Sequence, residues 1–324
     1  MKMRLIQLTL FMLLMSALSV PATATPLRKV KFGVSYIPNV QFAPLYICQQ
    51  KGYYADEGLE VELQYGYESD FVTLAAQGTN EFAIASGDQI ILARSQGLPI
   101  TYVMTWYQRY PVGLVIPVSK NISAVSELEG RRVGLPGFFG ATYIGWKALA
   151  YATKLDEKQV TVKQIGFNQA AAVKQDLVDA AMVYIVNEPI QLRAEGLKVR
   201  VIEVSDSINL VSNGLAVGNE LMTSDPDLVR RMVRATLRGL IYAVEHPDEA
   251  FAISRQAIPE ITDETAAIQR DVLNASIALW KTDTYGISKR KSWQESVDFM
   301  QKTGLLSKPV SIDTLFTNQF IKTP

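Results

Sequence analysis

The chain has 324 residues, of which 48% are hydrophobic and 20% charged, with 32 basic and 32 acidic side chains. This composition excludes a disordered chain and provides enough apolar material for one large domain or two ordinary ones. The balanced charge gives no electrostatic basis for binding nucleic acid or an anionic lipid surface, so we expect neither as a partner.

The first 24 residues have the features of an export signal. Lys2 and Arg4 precede an apolar run over residues 8–18, and small residues follow at 22–24. The run is shorter than the roughly 20 residues that a membrane-spanning helix needs, so we interpret it as a signal peptide rather than an anchor. We predict cleavage near Ala24 and a periplasmic or otherwise exported protein. Without this segment the formal net charge is −2.

One cysteine and one histidine limit the chemistry that this chain can perform. Cys48 lies on the apolar face of a predicted helix, and a single cysteine cannot form an intrachain disulfide. His246 lies in a loop-like sequence with no second histidine anywhere in the chain. We therefore expect no metal site, no cofactor and no catalytic residues of the Cys-His or Ser-His-Asp kind.

The first strand and helix are predicted within residues 30–54. Residues 30–34 read as a β-strand, a polar elbow follows, and apolar residues then recur at helical spacing up to Gly52. This pattern places Tyr36, Asn39 and Gln41 at the carboxyl end of a parallel strand. Such strand ends are where open α/β sheets bind ligands.

Strands and helices continue to alternate along the next fifty residues. Residues 59–65 alternate as a half-buried strand, and residues 66–70 read as the turn that ends it. Residues 81–86 form a third strand before a helix that contains Asp88, which either caps that helix or belongs to a site for a carbonyl or anion. A fourth strand over residues 100–107 delivers a dense group of side chains at its end: Trp106, Tyr107 and Gln108.

A second α/β unit is predicted to begin near residue 125. Phe138, Phe139 and Thr142 follow a strand and open a helix in a glycine-rich segment. The segment lacks the Gly-Lys-Ser/Thr of a P-loop, but its glycines let a ligand approach the backbone and its phenylalanines can cover a flat ring. A later strand ends at three further candidates: Tyr184, Asn187 and Glu188.

Together these strand ends predict an aromatic enclosure for a planar ligand. A single tyrosine or phenylalanine at such a position is as often core or surface filler, but aromatics at four strand ends suggest one common site. The amides of Asn39, Gln108 and Asn187 can donate and accept hydrogen bonds, as the edge of a heterocycle requires. Glu188 is either a solvated carboxylate at a helix N-terminus or an acceptor for ring N–H groups.

The order of the elements predicts two α/β lobes that face each other across a ligand cleft. Residues 27–114 with 216–324 form the first lobe, and residues 115–215 form the second. Two extended segments, 111–117 and 210–217, are predicted to join them as crossovers and to act as the hinge for closure.

Four segments of this chain resemble a known family. They are GYYADEGLEVEL (52–63), SELEGRRVGLPG (126–137), GLPGFFGATYIG (134–145) and VNEPIQL (186–192). The chain is similar to the NMT1/THI5-like branch of bacterial periplasmic solute-binding proteins, and most like the branch assigned to riboflavin uptake. The resemblance implies a type II periplasmic binding protein fold. It also implies a monomer that binds a small heteroaromatic ligand and delivers it to an ABC transporter permease at the inner membrane.

The resemblance leaves several alternatives open. Binders of thiamine pyrimidine precursors, either hydroxymethylpyrimidine or formylaminopyrimidine, share the fold and many aromatic positions. Alkanesulfonate, taurine and nitrate binders are also relatives, but small anions favour hydroxyls and backbone amides over paired phenylalanines. Eukaryotic relatives that synthesise the thiamine pyrimidine carry a cysteine-rich motif and histidine chemistry that this chain lacks, so we expect no enzyme.

Overall fold

The computed structural model describes residues 26–321, which form two five-stranded mixed sheets with helices packed on their faces. This architecture confirms the predicted α/β fold class. The predicted signal peptide and its cleavage near Ala24 lie outside the described residues. Between residues 26 and 321, no helix combines the length and apolar character that crossing a membrane requires.

The strands are numbered in chain order. They are β1 Arg28–Ser35, β2 Leu59–Gly66, β3 Phe82–Ser86, β4 Ile100–Thr105, β5 Val112–Pro117, β6 Arg132–Leu135, β7 Thr161–Gln164, β8 Ala180–Tyr184, β9 Val199–Glu203 and β10 Asn213–Gly218.

The α-helices follow the same numbering. They are α1 Ala43–Gln50, α2 Tyr53–Asp56, α3 Glu68–Ala76, α4 Gly87–Ser95, α5 Gly140–Thr153, α6 Gln169–Lys174, α7 Glu188–Ala194, α8 Asn219–Ser224, α9 Pro226–Glu245, α10 Pro247–Ala257, α11 Asp263–Trp280 and α12 Arg290–Lys302. Short 3-10 turns, such as Val40–Phe42, connect some of them.

The two sheets have the same topology. The first has the order β2-β1-β3-β10-β4, with β1 parallel to β2 and β3, and β10 antiparallel to both of its neighbours. The second has the order β7-β6-β8-β5-β9, with β6 parallel to β7 and β8, and β5 antiparallel to both neighbours. In each sheet, the antiparallel strand directly follows a passage of the chain from the other sheet. This strand is β10 in the first sheet and β5 in the second.

The chain crosses between the sheets twice, between β4 and β5 and again between β9 and β10. The predicted lobe boundaries after residues 114 and 215 fall inside β5 and β10. Each of these strands pairs along its length within one sheet, so cutting it would split a hydrogen-bonded ladder. We therefore propose that the lobes divide in the segments 106–111 and 204–212.

The first lobe contains a close helix contact between α9 and α1. One face of α9 is buried, and its Gly239 lies against Pro44 and Cys48 of α1. The Cys48 thiol is fully buried near the Ala235 carbonyl oxygen, and burial raises the pKa of Cys48 to about 12. This cysteine is therefore a packing residue and stays protonated at neutral pH.

We predict that Gly239→Ala destabilises the protein. In an exposed helix this change is stabilising by about 1 kcal/mol, but here the new Cβ would overlap the Pro44 carbonyl oxygen and the Cys48 sulfur. We expect the free energy of unfolding in urea to fall by about 1–3 kcal/mol, because α9 must move away from α1. Adding Cys48→Ala should restore part of the loss. A net gain in stability from Gly239→Ala alone would show that the two helices do not touch here.

Candidate ligand-binding site

A cleft lies between the two sheets, where the carboxyl ends of their parallel strands face each other. It encloses about 800 Å³ of empty space when the part open to solvent is included. Segments that follow β1, β2 and β4 line one wall, and segments that follow β6, β7 and β8 line the other. Sheet topology thus brings distant parts of the sequence together, as it does in other α/β proteins.

Nine of the thirteen residues that the sequence singled out line this cleft. They are Tyr36, Gln41, Trp106, Tyr107, Phe139, Thr142, Tyr184, Asn187 and Glu188. All of them lie at or shortly after the end of a strand or in the first turns of the helix that follows. The structure therefore places these nine side chains in one site, and their role in binding stays a prediction.

The other four predicted residues do not line the cleft. The Phe138 side chain is 52% exposed and packs edge-on against Tyr143. Asn39 is buried behind the wall, where its Oδ1 accepts hydrogen bonds from the backbone and side chain of Gln41 at 3.0 and 3.1 Å. Gln108 turns back to its own strand end, with its Nε2 3.5 Å from the carbonyl oxygen of Trp106. Asp88 is fully buried in the first turn of α4, beneath the cleft rather than on its surface.

Aromatic rings from the two lobes meet across the cleft. Tyr67 contacts Phe139 edge-on and Phe167 at a tilt, with ring centroids 5.1 Å apart in both pairs. Tyr36 meets Phe167 edge-on at 4.8 Å. By contrast, Trp106 and Tyr107 pack edge-on against the core residue Trp280. The aromatic enclosure therefore differs from the predicted one: the wall of four rings consists of Tyr36, Tyr67, Phe139 and Phe167, and Trp106 and Tyr107 lie at the inner end of the cleft.

A polar cluster around Glu188 also joins the lobes. The Glu188 carboxylate accepts hydrogen bonds from the Tyr184 backbone N–H at 3.1 Å and from the Asn187 amide at 3.3 Å, and the Tyr36 hydroxyl donates to it at 3.5 Å. Burial raises the pKa of Glu188 to about 7. At neutral pH this carboxyl can therefore exist in either protonation state, so it can accept or donate a hydrogen bond to a bound molecule.

The backbone of Tyr36 is held in an unusual conformation at this cluster. Its φ angle is +119°, in a region that residues with a side chain rarely adopt. Its backbone N–H donates to the Gly66 carbonyl oxygen at 2.8 Å, which fixes the strand end, and its hydroxyl reaches across to Asn187 and Glu188. Such an outlier costs on the order of 1–3 kcal/mol and is concentrated at functional sites in proteins.

Two further hydrogen-bonded pairs border the cleft. Tyr184 of the second lobe and Asn213 of the first lie 3.1–3.3 Å apart through the tyrosine hydroxyl and the amide. Within the first lobe, the Tyr107 hydroxyl donates to the Gln41 Oε1 at 3.5 Å. These pairs hold amide and hydroxyl groups at fixed positions on the walls, where the groups can form hydrogen bonds with a bound molecule.

Glu68 is the charged lining residue that the sequence did not point to. Its side chain lines the cleft and is buried, with Oε1 accepting from the backbone N–H and hydroxyl of Ser86 and Oε2 accepting from the Ala141 N–H at 3.1 Å. Ser86 belongs to the first sheet and Ala141 to the first turn of α5 in the second lobe. The only sequence signal was its place just after a strand, because a charged residue in a turn is normally solvated.

The other lining residues that were missed include four that bring a ring or an amide to the cleft. Tyr67 follows β2, Phe167 and Gln169 follow β7, and Asn213 opens β10. Each lies at a strand end on the cleft side, so the rule that selected the predicted residues could have selected these as well. Phe167 lies in the loop after β7, which ends at Gln164.

A comparison with protein-family models matches residues 39–250 to the family described as NMT1/THI5 like. The chain belongs to this family. The riboflavin-binding protein RibY of Chloroflexus aurantiacus is 41% identical over 345 aligned residues, which cover 99% of this chain and 98% of that protein. The formylaminopyrimidine-binding protein of Halalkalibacterium halodurans is 25% identical, covering 90% of each chain. Other NMT1/THI5-like relatives, 20–23% identical, are 4-amino-5-hydroxymethyl-2-methylpyrimidine phosphate synthases.

Solved structures confirm the fold expected for an NMT1/THI5-like protein. The alkanesulfonate-binding protein SsuA from Xanthomonas axonopodis pv. citri, solved with bound MOPS, has a TM-score of 0.73 with this chain. The match covers 91% of this chain and all of the other, at 13% identity. A likeness at this identity concerns the fold, and it confirms the predicted type II periplasmic binding protein architecture with two α/β lobes.

The buried Asp88 carboxyl is expected to make the stability of the protein depend on pH. Burial and the neighbouring Glu68 raise the pKa of Asp88 to about 7, and the Asp88 Oδ1 has no hydrogen-bond partner among residues 26–321. The folded protein therefore keeps a proton that the unfolded chain releases near pH 4. As a result, the stability contributed by this proton is fully present below about pH 4 and is lost as the pH rises to about 7.

We predict that Asp88→Asn removes this loss, because an amide cannot ionise. The variant should be closest to wild type near pH 4 and exceed its free energy of unfolding by roughly 2–4 kcal/mol at pH 8. Urea unfolding at pH 4, 6 and 8 measures the difference. Asp283→Asn, at an exposed loop carboxylate, is the matched control and should keep the pH dependence of wild type. An equal gap between Asp88→Asn and wild type at every pH would contradict the prediction.

Proposed function

We propose that this protein is the substrate-binding component of an ABC importer and that its ligand is riboflavin. The observation that carries the proposal is the 41% identity, over nearly the full length of both chains, with a riboflavin-binding protein. The family and the two-lobed fold support a solute-binding role. We propose that the protein binds its ligand in the periplasm, as the export expected from the sequence implies, that it releases the ligand to a permease at the inner membrane, and that it acts as a monomer.

The chemistry of the cleft supports a flat and uncharged ligand. Its wall of four rings, with Phe139 and Phe167 on one lobe and Tyr36 and Tyr67 on the other, offers apolar faces to an aromatic system. Amides of Gln41, Gln169, Asn187 and Asn213 also line it. Among residues 26–321, no lysine, arginine, histidine or cysteine lines the cleft.

The same lining argues against the anionic ligands of other relatives. A sulfonate or nitrate buried here would have no cation beside it, and burying an unpaired charge is costly. Two carboxyl groups, those of Glu68 and Glu188, already lie on the walls, and in their ionised form they would repel a negatively charged ligand. We therefore consider an alkanesulfonate, taurine or nitrate a less favourable ligand for this cleft than a neutral heteroaromatic molecule.

We propose specific roles for the predicted residues that line the cleft. Phe139 and Tyr36 cover the ring, and Trp106 and Tyr107 close the inner end. Thr142, Tyr184, Asn187 and Glu188 provide hydrogen bonds to ring edges or to the ribityl hydroxyls, and Gln41 positions the Tyr107 hydroxyl. For Asn39, Asp88, Gln108 and Phe138 we propose no ligand contact, because their side chains lie outside the lining.

A thiamine pyrimidine precursor is the second candidate ligand. The relative named as a formylaminopyrimidine-binding protein favours it, at lower identity. We also infer that the protein is not an enzyme, although pyrimidine phosphate synthases share its family. No lysine from the described residues lines the cleft, so these walls offer no amine for a Schiff base with an aldehyde cofactor.

We predict that riboflavin binds and that Phe139 carries part of its affinity. Stacking contact and lost apolar area together amount to roughly 2–4 kcal/mol, so Phe139→Ala should weaken binding by about 30-fold to several hundredfold. Riboflavin fluorescence, which falls when the ring stacks on tryptophan or tyrosine, reports the binding in a titration. Phe138→Ala is the matched control, because its ring is half exposed and outside the cleft, and it should bind within about threefold of wild type.

Two results would overturn this assignment in different ways. If wild type leaves riboflavin fluorescence unchanged and calorimetry detects no heat of binding, riboflavin is not the ligand, and calorimetry with formylaminopyrimidine tests the second candidate. If riboflavin binds but Phe138→Ala weakens its binding more than Phe139→Ala does, then Phe139 does not contact the flavin ring as we propose.

A further inference from the structure

Two buried polar atoms on the cleft walls lack hydrogen-bond partners. Among residues 26–321, the side-chain atoms that are buried without a partner include Gln169 Oε1 and Trp106 Nε1, and these two residues line the cleft. Other such atoms, for example Trp280 Nε1 and Trp293 Nε1, belong to residues outside the lining. Since a buried polar group normally has a partner, an unpartnered one on a cleft wall points to a ligand that supplies it.

Gln169 lines the cleft close to the aromatic ring of Phe167 in the sequence. It is the first residue of α6 and is only 3% exposed, although its side chain ends in a polar amide. Phe167, two residues earlier, lines the same cleft and contacts both Tyr36 and Tyr67 across it. The segment after β7 therefore brings an aromatic ring and an unpartnered amide acceptor to one part of the wall.

We propose that Gln169 is a specificity-determining residue that accepts a hydrogen bond from the imide N–H of the ligand ring. This inference rests on the proposed riboflavin function. The flavin ring carries an N3–H between two carbonyl groups, and a glutamine amide presents an acceptor next to a donor, so the two edges are complementary. Trp106, on the opposite lobe, offers only a donor, which suits a ring carbonyl or an unprotonated ring nitrogen.

The consequence is selectivity for rings that keep this N–H. A site built to pair with a ligand N–H discriminates strongly against an analogue that lacks it, because the acceptor is then buried without a partner. Methylation at N3 replaces the proton by a methyl group and leaves the ring planar. We expect wild type to bind 3-methylriboflavin roughly 10-fold to 100-fold more weakly than riboflavin.

The test compares two ligands and three proteins by fluorescence titration. Riboflavin and 3-methylriboflavin are titrated with wild type, Gln169→Ala and Gln175→Ala, the last being an exposed glutamine at the end of the same helix. Gln169→Ala should lose roughly 10-fold to 100-fold in riboflavin affinity and distinguish the two ligands by less than about threefold. Gln175→Ala should behave as wild type with both ligands.

The outcomes separate this inference from the proposed function. Equal binding of riboflavin and 3-methylriboflavin by wild type would overturn the role of Gln169 while leaving riboflavin as the ligand, and this comparison needs no variant to fold. If Gln169→Ala still discriminates between the ligands as wild type does, the N3 position is recognised by another residue and the inference is wrong. If wild type binds neither ligand, the riboflavin function itself fails, and the assignment of Gln169 fails with it.

Discussion

One buried carboxylate, that of Glu68, joins the two lobes of this protein. It accepts hydrogen bonds from the backbone and hydroxyl of Ser86 in the first lobe and from the Ala141 N–H in the second. No cation is among these partners, and burial raises the pKa of Glu68 above its usual range. The charged form is therefore stabilised only by donors that come from both lobes. Because Ser86 and Ala141 belong to different lobes, this contact holds the two walls of the cleft together at Glu68.

The two strands next to the crossings, β5 and β10, help to bring polar groups from both lobes to one place. Because β5 and β10 each lie next to a crossing, both walls of the cleft are attached directly to the connecting segments. Asn213 opens β10 at the first wall and contacts Tyr184 at the end of β8 in the second. A change at either crossing therefore acts on the hydrogen bonds between the lobes, in agreement with the proposed division at 106–111 and 204–212.

The sequence predicted the fold, and nine of its thirteen candidate residues line the cleft, because periodicity locates strand ends and α/β sheets bind ligands at strand ends. Trp106, Tyr184 and Glu188 were found by that rule alone. It could not separate Phe139 from Phe138, because both lie in the same loop and only the backbone of that loop decides which ring faces inward. Phe139 is extended, and Gly140 follows with φ +77°, a conformation that glycine adopts readily. Glu68 was missed because its donors are 18 and 73 residues away along the chain.

The acids around the cleft also define the charge of a molecule that it can hold. Burial raises the pKa of Glu68, Asp88 and Glu188, which means that this region already disfavours negative charge. A ligand that carried a phosphate or sulfonate would bury a further negative charge here, with no cation on the described walls to offset it. A neutral ring with hydroxyl substituents avoids this cost and can hydrogen-bond to the carboxyl groups in either protonation state. The electrostatics of the cleft thus favour an uncharged ligand over a phosphorylated one.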